Sequence, residues 1–251
     1  MKNKYFSLFV LVFSSLLVLT SCEGREGIEE PIRLLDLYVV DTAGLPVPNA
    51  KVDFFLNEND LMKDQNPIMK SFYSDKEGRV QVALDFKIFD YYVNIEKEDL
   101  NNWYTTTIVK TPNLLIENVN TVTIKNSIQA QLTGRYEKRW QQTAHIINGN
   151  PSNLNCFNQL YHNFIRRSEV TSEEDIDGRI QKFQSNVCTS PEKPAGFNVW
   201  KYNQEDNTMV LGLGTSQELY KFEDFTGDKF SIVLTTLDGT FIIERKFKLV
   251  Q

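Results

Sequence analysis

Histidine is scarce in this chain of 251 residues, which has 2 of them beside 3 cysteines and 3 tryptophans. His145 and His162 belong to no His-Glu-x-x-His ligand spacing, and no Cys-x-x-Cys pair occurs, so neither a zinc site nor a dithiol redox motif is written locally. "GLGTS", at 212–216, has β-like sequence on both sides and no Gly-Lys-Ser/Thr after it, so it reads as a hairpin or bulge and not a phosphate loop. Ser216 lacks the Gly-x-Ser-x-Gly setting of a nucleophile elbow. The acidic run from Glu173 to Gly178 misses calcium-loop spacing, since Gln184 stands where a glutamate is needed, and it reads as a solvated loop. With 27 basic against 33 acidic residues and no basic patch, nucleic-acid binding is disfavoured. A catalytic triad assembled in space from either histidine would leave no mark in sequence and stays open. The expectation is a non-enzyme with no cofactor, no metal and no catalytic residue.

Long hydrophobic runs are also missing, with one short exception. After Met1-Lys2-Asn3-Lys4, the stretch Tyr5 to Leu19 is interrupted only by Ser7, Ser14 and Ser15. Its length of about 15 residues falls short of the roughly 20 needed for a membrane-spanning helix and suits a secretory signal peptide. Leu19-Thr20-Ser21-Cys22 then resembles the lipobox of bacterial lipoproteins. That resemblance implies removal of residues 1–21, a thioether-linked diacylglycerol on Cys22, and acylation of the new amino terminus. The thiolate is the nucleophile in the lipid transfer. One acyl chain anchors only marginally and several hold firmly. The chain is therefore expected in a bacterial cell envelope, lipid-anchored at the outer membrane. Residues 22–31 have no apolar period and read as a flexible tether. Losing Lys2 and Lys4 leaves 25 basic against 33 acidic side chains, a net of −8.

From residue 32 to 127 the pattern is β. Leu35, Leu37 and Val39 alternate with Asp36 and Tyr38; Ala50, Val52 and Phe54 with Lys51 and Asp53; Val80, Val82 and Leu84 with Arg79 and Gln81. Tyr91, Val93 and Ile95 continue the series, and the runs Trp103–Val109 and Thr121–Ile124 add two strands. Asp75-Lys76-Glu77-Gly78 reads as a hairpin connection with Gly78 at positive φ. "VVDTAGLPVPNAKVDFF", "YSDKEGRVQVAL" and "YYVNI" together resemble the carboxypeptidase regulatory-like or transthyretin-like module. The residues that carry the likeness are Asp41, Gly44, Pro46, Val47, Ala50 and Val52, then Asp75, Gly78 and Val80. It implies an immunoglobulin-like β-sandwich with an accessory or adhesive role.

A boundary falls near Ser127–Ala130, and residues 131–251 form a second unit. Strands are expected over 197–202, 208–213, 219–222, 230–235 and 240–249, with Asp206-Asn207 and Asp238-Gly239 as turns. Consecutive hairpins suit a meander or a small up-and-down barrel, closed or open. Leu154, Phe157, Leu160, Tyr161, Phe164 and Ile165 recur at helical spacing between Pro151 and Arg166-Arg167, which predicts one short helix over about 152–167. His162 would lie on its polar side. "LTGRY", the closing strands, Trp200 before a hairpin and the Cys156 and Cys188 pair resemble lipocalin-like domains of bacterial lipoproteins. In an oxidising compartment the two cysteines are expected to form a disulfide. Closing a loop of about 33 residues would be worth roughly 3.5 kcal/mol in the chain-entropy account.

The fold class is therefore all-β: an N-terminal sandwich and a C-terminal antiparallel domain. Trp140, Tyr161, Trp200, Tyr202 and Tyr220 are the ligand-binding candidates, as aromatics able to stack on sugars or line an apolar pocket. The expected function is a non-catalytic envelope lipoprotein that engages the membrane through its lipid and a glycan, peptide or envelope protein through its folded part. Carriage of a small apolar ligand in the barrel, or service as a structural subunit of a surface assembly, are the alternatives.

Overall fold

The computed structural model describes residues 32–85, 87–114, 116–152, 160–168, 176–184, 193–212, 217–236 and 239–250. The apolar leader, the tether, Cys22, Cys156 and Cys188 lie outside the described residues. What is described is all-β, with two short helices and two separate hydrophobic cores.

The first core lies between two sheets. Strands β1 (Ile32–Val40), β4 (Arg79–Asp85) and β8 (Glu117–Thr123) form one sheet in the order β4-β1-β8, with β1 and β8 parallel. Strands β2 (Lys51–Phe55), β3 (Phe72–Tyr73), β5 (Asp90–Lys97) and β6 (Leu100–Asn101) form the other in the order β3-β2-β5-β6, and β7 (Ile108–Lys110) pairs with β5. The alternation seen in sequence sets their facing sides: Leu35, Leu37 and Val39 of the first sheet share the core with Val52, Phe54, Tyr91, Val93 and Ile95 of the second.

The Asp75–Gly78 turn forms as expected, but its flanks do not pair with each other. The Asp75 carboxylate accepts from the backbone N–H of Glu77 and Arg79, and Gly78 sits at φ 75°. A Cβ on Gly78 would meet the Val39 carbonyl oxygen at 2.5 Å. β3 before the turn pairs with β2, and β4 after it pairs with β1, so the turn carries the chain from one sheet to the other. The Trp103–Val109 run is strand only from Ile108 onward, and Tyr104 packs against the second core instead.

The second core fills a closed barrel. Strands β9 (Glu137–Ile147), β11 (Tyr161–Arg166), β12 (Gly178–Gln184), β13 (Lys193–Asn203), β14 (Thr208–Leu211), β15 (Glu218–Glu223), β16 (Lys229–Thr235) and β17 (Ile242–Leu249) are each antiparallel to the next. β17 returns to pair with β9, and the two-residue β10 (Asn150–Pro151) extends β9 in a hairpin. Eight strands give an interior that side chains can just fill, or that can hold one small ligand.

The helix expected over 152–167 does not form at its latter half: Tyr161–Arg166 is the strand β11. His162, Phe164 and Arg166 are buried while Tyr161, Asn163 and Ile165 are half-buried, a period of two that places His162 inside the barrel. The outer face of this strand is itself partly covered. Arg139 lies over the Tyr161 ring at 4.2 Å, so apolar residues on both faces imitate helical spacing. The earlier part of that segment, 153–159, is outside the described residues.

Two helices join the halves. Helix α1 (Glu58–Lys63), capped by Asn57, leads into Asp64 at φ 52°. Helix α2 (Ile128–Thr133), capped by Ser127, wedges the fully buried Leu132 into the base of the barrel. Arg135, from the "LTGRY" run, reaches back to the sandwich. Its Nε donates to the Asp64 carboxylate at 2.8 Å, and its guanidinium also pairs with Glu96. The Tyr136 hydroxyl donates to the same Asp64 oxygen at 2.9 Å. Burial works against the charge on Asp64, yet the Tyr136 hydroxyl and Arg135 outweigh it and hold the carboxyl below its ordinary range. Tyr104 completes the seam: its hydroxyl lies 2.7 Å from Thr133 Oγ1, and its ring is 6.2 Å from that of Trp200. A cavity of about 200 Å³ remains beside it, between Glu58, Leu61 and Trp103 of the sandwich and Arg166, Arg167 and Asp177 of the barrel.

Candidate functional site

The barrel interior divides along its axis into a floor and a cup. Near the α2 end the inward residues are aromatic and tightly stacked. Phe230 is the hub, with its ring centroid 4.6 Å from Phe247, 4.8 Å from Trp140 and 6.0 Å from Phe164. The Trp140 indole N–H donates to the Leu132 carbonyl at 2.8 Å, which ties the helix plug to the strands. Gly178 is needed on the facing wall, because a Cβ there would lie 2.0 Å from the Ile165 carbonyl oxygen and 2.9 Å from Trp200 Nε1. This half is a solid core with large buried apolar area.

Toward the other end the same strands turn inward quite different side chains. Because β17 alternates, Ile243, Arg245, Phe247 and Leu249 share its inner face, and Arg245 is in register with His145 on β9. His162 of β11 is likewise in register with Lys182 of β12. Glu218 and Tyr220 come from β15, where the Tyr220 hydroxyl donates to the Glu218 carboxylate at 2.7 Å. The Arg245 guanidinium carbon lies 5.2 Å from the Tyr220 ring centre.

These groups sense one another. Burial, followed by the positive charges of Lys182 and Arg245, pushes the His162 imidazole down to about 3, so it is neutral at ordinary pH. Burial and then Arg245 also lower His145. Burial and Arg245 lower Lys182, against the pull of Glu218. Burial holds the Tyr220 phenol above its ordinary range. His162 is 3% exposed, its ring stands edge-on to Phe247 at 5.2 Å, and its Nδ1 has no hydrogen-bond partner among the described residues. By contrast Lys182, Glu218 and Arg245 are only half-buried. One row further out, Ile147, Ile243 and Leu234 are in register and half-buried, giving the cup an apolar rim on one wall.

No family model matches the chain. No curated protein matches it either. Among solved structures, 3-chlorocatechol 1,2-dioxygenase from Rhodococcus opacus 1CP is similar over 38% of this chain at 12% identity and a TM-score of 0.26, and the chain spans 60% of its length. BcpA, the major pilin subunit of Bacillus cereus, is similar over 86% of this chain and 95% of its own at 10% identity, with a TM-score of 0.26. A variant form of BcpA gives 11% identity over 87% of this chain and 69% of its own, with a TM-score of 0.29. Likenesses of this size carry neither fold nor activity across, and the strand pairing has to speak for itself.

The five aromatic candidates separate by position. Trp140 and Trp200 are wholly buried in the floor, and Tyr202 lies beside them with its hydroxyl donating to Asn207 at 2.8 Å. Tyr161 is on the outer wall under Arg139. Tyr220 alone of the five borders the cup, between the aromatic floor and the charged groups. Arg245 and Lys182 were not singled out from sequence, and His162 was weighed there only as a metal ligand or triad member and placed on the polar side of a helix. A usable signal existed, since each sits at an inward position of an alternating strand whose neighbours at ±2 include a buried apolar residue.

Proposed function

We propose that this is a non-catalytic, lipid-anchored lipoprotein of the bacterial cell envelope that binds a ligand through its C-terminal barrel. Cys22 and its lipobox carry the anchor reading, and residues 22–31 are the tether. The N-terminal sheets are the carboxypeptidase regulatory-like or transthyretin-like module, a reading supported by the Asp41 turn, where the carboxylate accepts from Ala43 and Leu45 N–H, and by Gly78 at positive φ. They serve as a rigid base, joined to the barrel through Arg135 and Tyr104. The observation that carries the binding role is the inner lining of the barrel, where charged side chains are collected above a packed aromatic floor and not left on the outside.

The alternative of an apolar-ligand carrier in a lipocalin-like barrel draws on the same closed ring of strands. It is disfavoured by the lining, because an apolar ligand would strip water from Lys182 and Arg245 without replacing it. Binding of a glycan or an envelope protein by an outer surface remains the other way to fill an accessory role. One experiment tests the anchor and the envelope reading together: Cys22→Ala should move the protein from the membrane to the soluble fraction and abolish labelling by a radioactive fatty acid. Unchanged fractionation and no label on the native protein would remove the lipoprotein reading.

A further inference from the structure

We propose that the cavity at the seam between sandwich and barrel binds one free aliphatic amino acid, its carboxylate on Arg166 of the barrel and its ammonium group on Glu58 of the sandwich. This site goes beyond the barrel reading, since neither Lys182 nor Arg245 lines the cavity. Arg166 is 7% exposed, and among the described residues its guanidinium donates only to the Arg135 carbonyl oxygen, at 3.4 Å. The Trp103 and Tyr104 rings each lie 5.9 Å from its guanidinium carbon, and no carboxylate among the described residues forms an ion pair with it. A buried cation with so few acceptors is costly. Burial pushes Arg166 below its ordinary range, whereas Arg135 is held up against its own burial by Glu96 and Asp64.

The opposite charge lines the same cavity. Glu58 stands in the first turn of α1, and its carboxylate accepts from the Thr106 hydroxyl at 2.8 Å but pairs with no cation among the described residues. These two lone charges come from different units, border one space and form no ion pair with each other. Arg167 and Asp177 add one formal charge of each sign, so the lining is balanced and favours a ligand with no net charge. An anion alone would set a like charge against Glu58, and an amine alone would do the same to Arg166, whereas a zwitterion answers both. The planar guanidinium matches the two oxygens of a carboxylate. Leu61, Met62 and Ile176 supply an aliphatic patch for the side chain. At about 200 Å³ the cavity lies below the roughly 300 Å³ at which pockets for drug-sized ligands begin, which suits one amino acid and not a peptide.

The test is isothermal titration calorimetry at neutral pH on the chain from Glu23 to Gln251, which keeps every described residue, with L-leucine, L-leucinamide and N-acetyl-L-leucine as probes. Leucine should bind. Leucinamide, which lacks the carboxylate, and N-acetyl-leucine, which lacks the ammonium group, should each bind at least about tenfold more weakly. Glu58→Gln keeps an acceptor for the Thr106 hydroxyl and removes the charge, so it should bring leucine down to the level of N-acetyl-leucine. Arg166→Gln should bring leucine down to the level of leucinamide, with an unchanged circular dichroism spectrum as the folding control. If Arg166→Gln fails to fold, the Glu58→Gln result decides. Silence with leucine, either derivative binding as well as leucine, or leucine affinity unchanged in Glu58→Gln would each overturn the assignment. None of these outcomes bears on the cup, whose charged residues do not line this cavity.

Discussion

Replacing His162 by phenylalanine should remove a large part of the protein's sensitivity to mild acid. The imidazole is buried between Phe247 and the cations Lys182 and Arg245, and it takes a proton in the folded state only at about 3, against an ordinary 6.5. Below pH 6.5 the unfolded chain binds a proton at this side chain and the folded chain does not. Stability is therefore fully present above that value and is lost as pH falls from 6.5 toward 3. At roughly 1.4 kcal/mol per pH unit, the loss between pH 7.5 and pH 5 comes to about 2 kcal/mol. A phenylalanine ring has nothing to titrate and fits among the same aromatic neighbours. Urea unfolding at pH 7.5 and pH 5 would show the native protein losing about 2 kcal/mol more than His162→Phe across that interval. His145 shifts in the same direction, but it is present in both proteins and cancels from the difference. Equal losses in the two proteins would refute the reasoning, since they would mean that His162 protonates in the folded state near its ordinary pH.

Arg135→Ala should cost about 2–3 kcal/mol by leaving the Asp64 and Glu96 carboxylates unpaired, and calorimetry should resolve the single unfolding transition into two as the sandwich and barrel uncouple. Because Asp64 is held below its ordinary range, its own contribution is present above that range and is lost as pH falls through the folded value; an Asp64→Asn protein should lack that part of the acid response. Gly178→Ala forces a Cβ into the Ile165 carbonyl and should lower the melting temperature by an amount equivalent to about 3 kcal/mol, where an alanine at the unobstructed Gly149 would report only the local backbone effect. For Cys156 and Cys188, thiol labelling of the unfolded protein should find both sites only after reduction, and labelling of both beforehand would refute the disulfide.

Much of the architecture could be read from alternation alone. The facing residues of the sandwich and the strands from Phe197 to Leu249 were expected where they occur, because each has one face apolar and one polar. The misreading at Tyr161–Arg166 has a definite cause. A barrel strand whose outer face is covered, here by Arg139 over Tyr161, loses its polar side and mimics a helix. Tyr104 was read as part of a strand because its neighbours are β-branched threonines. Its place against Trp200 depends on a contact between residues distant in sequence, which no local pattern encodes. The charged lining was legible in principle: Arg245 stands between Ile243 and Phe247 on one face of β17. What sequence could not say is that Lys182, from another strand, would stand close enough for the two charges to depress each other's neighbour His162.

The seam between β9 and β17 also fixes an order of events. Every other strand contact in the ring joins near neighbours in the chain, so hairpins can assemble as soon as their residues are available. Closure waits for Ile243–Leu249 to find Trp140–Ile147 across about a hundred residues, the slowest kind of contact to form. A nascent chain that ends at β16 therefore presents two naked strand edges, β9 and β16, at a stage when the sandwich can already be complete. Such an intermediate is the one most exposed to mispairing with its own kind, and a chaperone that shields extended segments would matter most at that moment.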